Sequence, residues 1–274
     1  MMCVELFAGA GGAALGLEAA GIEHAALCEW DPYACATLRA AGLGPVIEGN
    51  TADIDYRPFR GVDLLWASPP CQMHSSAGNG SGYDGWPDVL RCIRETAPRW
   101  VAIENVIGAP VEQWCADLRD LRFTVRAFLL NAARYGVPQR RRRWFIVAGP
   151  FQVVPRAPSM RETPASVILG HGWIRAEGCG ATGRSTAEPS FTVTKAGNLY
   201  WYPSNPGPRK KGDRVKGGRR VTVNECAALQ DFPADYPWQG PQTAQYRQIG
   251  NAVPPRLAEV VGHAVMQAER CGYE

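Results

Sequence analysis

No two cysteines in this 274-residue chain are spaced Cys-x-x-Cys, and its nine cysteines, an odd number, lie scattered. The four histidines are equally dispersed. This pattern argues against a zinc site and against a disulfide framework. Its simplest setting is reducing and intracellular, so a cytoplasmic location is expected. No basic stretch precedes an apolar run at the start, and a signal peptide is not expected. No apolar run is long enough to span a bilayer, which removes a membrane role. Net charge is only +3, so the whole molecule is not a polycation, and no internal repeat is present. What remains is a chain with 46% hydrophobic residues, enough for a real core in one large domain or one and a half.

The chemistry gathers around Ser68-Pro69-Pro70-Cys71-Gln72. The run Val62 to Ala67 before it reads as a short buried strand, which the two prolines end. Cys71 therefore stands at a strand's carboxyl end, where open α/β sheets place their ligands. A lone cysteine behind such a turn is more often structural than reactive. Its surroundings favour the reactive reading.

Met2 to Phe7 reads as a first strand, Ala8 to Ala14 as a glycine turn, and Ala14 to Ala20 as a helix closed by Gly21. Gly9, Gly11 and Ala14 fit the G-x-G-x-x-G/A form of a nucleotide-binding βαβ unit. A second strand, Ala25 to Cys28, ends at Glu29, about twenty residues on, where an acid meets a ribose diol. NAD, FAD, S-adenosylmethionine or no ligand at all fit these features equally. Asp31 and Pro32 open a helix that ends near Gly42. After a third strand, 45–47, Asp53 lies in a loop suited to an adenine amino group or to a solvated turn. Residues 73–87 carry Gly78, Gly80, Gly82 and Gly85 and read as a mobile lid or a plain flexible loop.

A helix over 88–96 precedes the strand Trp100 to Ile103, which delivers Glu104-Asn105-Val106 at its carboxyl end. If the fourth and fifth strands end on one edge, Cys71 and Glu104 converge as nucleophile and acid. A helix over 111–121 and strands over 125–130 and 144–148 follow. Four arginines, Arg140 to Arg143, enter the last of these. Alternation puts Arg141 and Arg143 on one face and Arg140 and Arg142 on the other, with one pair facing the site. From Pro150 the texture changes to Pro, Gly, Ser and Thr, with possible strands at 191–194 and 198–202. Arg209, Lys210, Lys211, Arg214, Lys216, Arg219 and Arg220 follow the aromatic cluster, as phosphate contacts or as a solvated basic loop. A helix over 221–230 is capped by Thr222 with Glu225 in the capping-box position. Tyr246 to Pro255 reads as a polar turn before a last helix, 256–268.

Taken together the motifs resemble the cytosine-C5 DNA methyltransferases, in that family's linear order and over nearly the whole chain. They are Glu5 to Gly12, Glu29, Asp53, Pro69 to Gln72, Glu104-Asn105-Val106, the Gln139/Arg141/Arg143 pattern, Arg220 to Pro233 and Gly250 to Pro255. The resemblance implies an α/β fold: a Rossmann-like doubly wound sheet of the class I S-adenosylmethionine-dependent methyltransferases, with a smaller irregular domain. Residues 1–149 would begin the catalytic and cofactor-binding domain, 150–218 form a small target-recognition domain, and 219–274 return to the first. Phe7, Gly9, Gly11, Glu29, Trp30, Asp53, Pro70 and Asn251 would hold S-adenosylmethionine, with Glu29 on the ribose and Asp53 on the adenine amino group. Cys71 would be the nucleophile, and Glu104 would hold and protonate N3 from a pocket that raises its pKa. Arg141 and Arg143 would steady the cytosine carbonyl and the active-site loop. Gln72, Gln139, Arg209, Lys210 and Lys211 would contact double-stranded DNA. No metal is implied. A monomer is expected, with a cognate restriction endonuclease acting separately where one exists.

Two features depart from the family pattern. Met73-His74-Ser75 stands where a small residue and Phe-Ser usually follow Gln72, and Arg140 with Arg142 doubles the usual arginines. A tRNA cytosine-C5 methyltransferase keeps the chemistry with another substrate. A catalytically silent DNA-binding homologue is disfavoured by intact Cys71, Glu104, Arg141 and Arg143. The Pro-Pro-Cys-Gln motif makes an NAD-dependent enzyme improbable.

Overall fold

Five short apolar runs become strands β1 (Met2–Leu6), β2 (Glu23–Glu29), β3 (Val46–Glu48), β4 (Leu64–Ala67) and β5 (Trp100–Asn105). Two more, β6 (Thr124–Asn131) and β7 (Arg142–Gly149), complete a seven-stranded sheet in the order β3-β2-β1-β4-β5-β7-β6. The computed structural model describes residues 1–70, 82–159, 161–176, 183–207 and 217–272. Strands β1 to β5 pair in parallel, while β7 runs antiparallel to β5. Their near-continuous apolar character reflects burial on both faces, as in the fully buried β4 and β5. This is the expected Rossmann-like, mostly parallel sheet.

The chain divides into two compact units. The first comprises Met1–Leu130, Arg142–Ala157 and Leu257–Glu274, and the second Asn131–Arg141 and Pro158–Arg256. By compactness, then, residues 219–256 group with 158–218.

In the first unit, helices α1 (Gly12–Ala19), α2 (Pro32–Ala41), α3 (Trp86–Thr96) and α4 (Val111–Asp120) connect the strands. Asp31 caps α2 by accepting from the Tyr33 and Ala34 amides, and Gly42 closes it in the left-handed region. On one face of the sheet, Val89, Cys92 and Ile93 of α3 and Trp114, Cys115 and Leu118 of α4 share a core with alternate residues of β1, β4 and β5. Trp86 and Trp114 stack at 4.7 Å between centroids, and Trp86 Nε1 donates to Asp117 at 2.7 Å.

In the second unit, helix α5 (Ser166–Leu169) precedes strands β8 (Trp173–Ala176), β9 (Arg184–Ser185), β10 (Leu199–Tyr202) and β11 (Arg219–Arg220). They form an antiparallel sheet in the order β11-β10-β8-β9. Helix α6 (Val223–Leu229) carries the expected capping box: Thr222 Oγ1 accepts from the Glu225 amide, and Glu225 Oε2 from the Thr222 amide. Helix α7 (Gln242–Asn251) follows, while α8 (Pro255–Cys271) belongs from Leu257 on to the first unit.

Two expectations are corrected. Phe191 to Thr194 is not a strand. It is held by side chains instead, with Thr192 Oγ1 donating to the Arg140 carbonyl and the Val193 amide to Gln139 Oε1. Residues 246–251 are not a polar turn but the second half of α7, which buries Ala244, Tyr246, Gln248, Ile249 and Gly250. Among the described residues no helix is long and apolar enough to cross a membrane.

Candidate active site

The glycine turn after β1 departs from ordinary backbone geometry at three of five positions. Phe7, Gly9 and Gly11 have φ of 58°, 56° and 88°. Glycine adopts the left-handed region without penalty, but phenylalanine does so rarely, so Phe7 is held there by its surroundings. Part of that hold is visible at Gly85, just before α3. A Cβ on Gly85 would lie 2.6 Å from Phe7 Cζ and 2.9 Å from Pro70 Cδ. The start of α3 thus presses at once on the glycine turn and on the Pro-Pro turn, and no side chain fits between.

Across the sheet, Glu29 at the end of β2 is buried and accepts three backbone bonds. The Gly9 amide reaches Oε2 at 2.7 Å, and the Trp30 and Asp31 amides reach Oε1 at 2.9 Å. Burial lifts the Glu29 carboxyl above the ordinary range, and these amides pull against it. Two carboxylate oxygens offer about four acceptor directions, so about one remains for a ribose hydroxyl. Beside it Trp30 is 73% exposed, a flat apolar face next to a ribose-type acid. Asp53 is also exposed, in the loop after β3. A Cβ added to Gly9 would meet nothing within 4 Å, so the turn borders open space. A turn bordering open space, an acceptor pair, an exposed aromatic and a second acid fit an adenosine-bearing cofactor. Asn251, assigned to the same cofactor, is exposed at the end of α7 in the second unit. Glu29→Ala is expected to weaken S-adenosylmethionine binding by about 1–3 kcal/mol, the scale of lost bonds to a charged acceptor, as isothermal calorimetry will read.

The parallel register of β4 and β5 pairs Ala67 with Ile103, so Ser68 and Glu104 leave the same edge side by side. Glu104 is the penultimate residue of β5 rather than the first beyond it, and it is 7% exposed. In the antiparallel register Glu104 faces Phe145, which puts Arg143 on the same face one diagonal step away. Arg143 Nε meets Glu104 Oε1 at 3.1 Å. The neighbouring Asn105, 3% exposed, sends Nδ2 to the Pro69 carbonyl at 3.0 Å and accepts the Val106 amide at Oδ1. One amide therefore tethers the Pro-Pro turn beside Glu104. Sequence reasoning assigned Asn105 no role, although a polar residue closing a buried strand was the available signal. Cys71, Gln72 and His74 lie outside the described residues.

Among the described residues the other cysteines sharpen the assignment to Cys71, while Cys179 lies outside them. Cys3, Cys28, Cys35, Cys92, Cys115 and Cys226 are all buried, while Cys271 is exposed. Burial pushes the thiols of Cys28, Cys35 and Cys226 up to about 12 and raises those of Cys3, Cys92 and Cys115. A thiol titrating near 12 carries about one part in ten thousand of thiolate at pH 8 and is a poor nucleophile. Iodoacetamide at pH 8 is expected to label Cys71 fastest and to spare these six in the folded protein. Peptide mass mapping showing Cys28 or Cys92 labelled before Cys71 would remove the assignment.

In the second unit, Gln139 and Arg141 are 0% and 1% exposed. The Gln139 amide donates to the Leu229 carbonyl and to Gln230 Oε1, and accepts from Val193. Arg141 donates to the carbonyls of Val193, Gly250 and Ala252 at 3.0, 2.9 and 2.9 Å. Gln230, also buried, donates to Ile249 and Ala252. The DNA contact expected of Gln139 therefore meets a different arrangement: its carboxamide is spent inside the unit. The face shared by Arg141 and Arg143 is likewise divided, because β7 begins only at Arg142. Arg140 is ion-paired with Glu162 and Glu188, and Arg142 is exposed. Arg209, Lys210 and Lys211 lie outside the described residues.

The model of C-5 cytosine-specific DNA methylases matches residues 1–155 and 158–267. The chain belongs to that family. The chain is similar to the Type II methyltransferase M.NgoMIV of Neisseria gonorrhoeae, with 32% identity over 97% of each protein. Its identity to the Type II methyltransferase M.NaeI of Lentzea aerocolonigenes is also 32%, over 97% of this chain and 74% of the relative. A Spodoptera frugiperda DNMT2 mutant structure superposes with a TM-score of 0.75 at 18% identity, covering 97% of this chain and 99% of that one. A putative DNA modification methyltransferase encoded within an Escherichia coli prophage gives a TM-score of 0.70 at 17% identity, covering 98% and 99%. These structures share the fold. The protein is thus a DNA cytosine-C5 methyltransferase, and its methyl donor is S-adenosylmethionine.

Proposed function

We propose that this methyltransferase modifies cytosine within a short specific DNA sequence through a covalent bond between Cys71 and C6. The observation that carries the reading is the edge shared by β4 and β5. There Glu104 is paired with Arg143, and Asn105 holds the Pro69 carbonyl two residues before Cys71. C5 of cytosine is a weak nucleophile. Addition of the Cys71 thiolate to C6 makes the ring an enamine that accepts a methyl group at C5. Glu104 offsets the charge that develops at N3 by giving or sharing a proton there. Arg143 lies where one guanidinium serves both Glu104 and the cytosine carbonyl. Removal of the C5 proton then drives elimination and frees the thiol. A stacked base cannot reach such a site, so the target cytosine is flipped out.

S-adenosylmethionine supplies the methyl group when bound. Phe7, Gly9, Gly11, Glu29, Trp30, Asp53 and Pro70 hold it, with support from Asn251. Arg141 acts at one remove, by anchoring the chain segment that runs into β7. Residues 150–218 read the target, and Arg209, Lys210 and Lys211 bind backbone phosphates. The names of the Type II relatives support a role in modification beside a separately acting restriction endonuclease.

The test uses tritiated S-adenosylmethionine with duplex DNA and with tRNA, followed by bisulfite sequencing of methylated plasmid. Label confined to DNA, at cytosines sharing one short motif, is the expected result. Label in tRNA alone, or methylation without a motif, overturns the proposal.

A further inference from the structure

Helix α3 does more in the first unit than fill the core. One face of it presents Asp88, Arg91 and Glu95 to the loop that follows β3. Arg91 donates to the carbonyls of Thr51, Ala52 and Ile54, the last two at 3.2 and 3.0 Å. These three carbonyls bracket Asp53 on both sides, leaving its side chain exposed. The guanidinium is itself fixed by Glu95 Oε1 at 2.9 Å and lies 5.0 Å from the ring centroid of Tyr56. Glu95 Oε2 accepts the Tyr56 amide at 3.1 Å, and Tyr56 Oη donates to the Thr51 carbonyl. Asp88 accepts from Thr51 Oγ1 at 2.9 Å. Asp88, Arg91 and Glu95 on this face of α3 are therefore all used to hold four residues of one short loop, Thr51, Ala52, Ile54 and Tyr56.

We propose that Arg91 is a positioning residue for the methyl donor, acting through the loop that carries Asp53. The loop has no regular structure of its own beyond a turn closed by the Asp53 amide on the Asn50 carbonyl. Without an external clamp its backbone would sample many conformations, and Asp53 would meet the adenine amino group only part of the time. A planar fork with five donors can take three carbonyls at once, which an ammonium cannot do. The start of α3 is pressed against Phe7 through Gly85. One helix thereby references two separate parts of the cofactor site to each other. The inference rests on the reading of Asp53 as an adenine contact.

The experiment measures KM for S-adenosylmethionine and kcat, at saturating DNA, for R91A, R91K, D53N and R91A/D53N. R91A is expected to raise KM roughly tenfold while kcat stays within about twofold of the parent. R91K, which keeps the charge but loses the fork, should raise the same parameter less. Because Arg91 works through Asp53, the double variant should have a KM no higher than D53N alone. If D53N raises KM but R91A and R91K do not, the positioning role is overturned while the Asp53 reading stands. If D53N leaves KM unchanged, the Asp53 reading fails and the proposal with it. A double variant whose KM is the product of the two single effects makes Arg91 an independent structural residue and also overturns the proposal. Should R91A prove unfolded by circular dichroism, the R91K series carries the same comparison. In that series a fall in kcat with KM unchanged is the contrary result.

Discussion

Cys71→Ala is expected to abolish both methyl transfer and the denaturation-resistant adduct that the parent protein forms with DNA containing 5-fluorocytosine. The adduct arises because fluorine at C5 cannot leave as a proton does, so elimination stalls and the sulfur stays on C6. Loss of the nucleophile removes the route itself rather than slowing a step, and the fall in kcat should be at least about 10⁴-fold. Binding of the DNA should survive, since the thiol contributes little to an interface dominated by phosphate contacts. Denaturing gels read the adduct and filter binding reads the affinity. The six buried thiols with raised pKa values provide the internal control, because none of them is activated to substitute for Cys71. An adduct that persists in Cys71→Ala would mean that another residue attacks the base.

The second large effect is expected at Arg141. Removing its guanidinium strands the carbonyls of Val193 and Gly250 in the interior of the second unit and leaves Ala252 with Gln230 alone among the bonds described above. Buried acceptors that lose a charged donor cost about 1–3 kcal/mol each, so Arg141→Ala should destabilise the second unit by about 3–5 kcal/mol. Arg141→Lys should recover little of this, since one ammonium cannot replace a fork that spans three carbonyls. Thermal unfolding would show a lowered first transition, and limited proteolysis would show early cleavage between residues 190 and 256. A variant with unchanged unfolding and reduced kcat would instead place Arg141 directly on the cytosine.

Features written into neighbouring residues were legible from sequence. The strand, glycine turn and helix of residues 2–19 could be read from composition, as could the Asp31 cap with Pro32 and the Thr222–Glu225 capping box. Each is decided within a few residues by backbone conformation and local hydrogen bonding. Helix α7 was hidden for a different reason. Its sequence includes Gly250 and Asn251 just ahead of two prolines, and local propensity favours a turn. The glycine is needed because a Cβ there would run into the backbone of Thr194 and Lys195. Tertiary packing thus selects a residue that disguises the helix. Gln139 misled for a similar reason. Its partners Leu229 and Gln230 are some ninety residues away, and a glutamine in an arginine-rich run looks solvent-facing until they are known. Arg91 and Asn105 were in plain view, yet their value lies in carbonyls of distant segments, which carry no side-chain signature.

The antiparallel insertion of β7 has a consequence for how the chain tolerates changes in length. Arg141 is anchored in the second unit, and Arg143 meets Glu104 in the first, with only Arg142 between. Side chains on a strand alternate faces, so a single inserted residue here would turn Arg143 away from Glu104, while two would restore its face but move it about 7 Å along the strand. The spacing is therefore an all-or-none quantity, whereas residues such as 203–207, which leave β10 on the way to β11 and belong to no strand or helix, can lengthen at only a logarithmic entropic penalty. Among descendants of this protein, insertions and deletions should accumulate in such connections and be purged from residues 139–145.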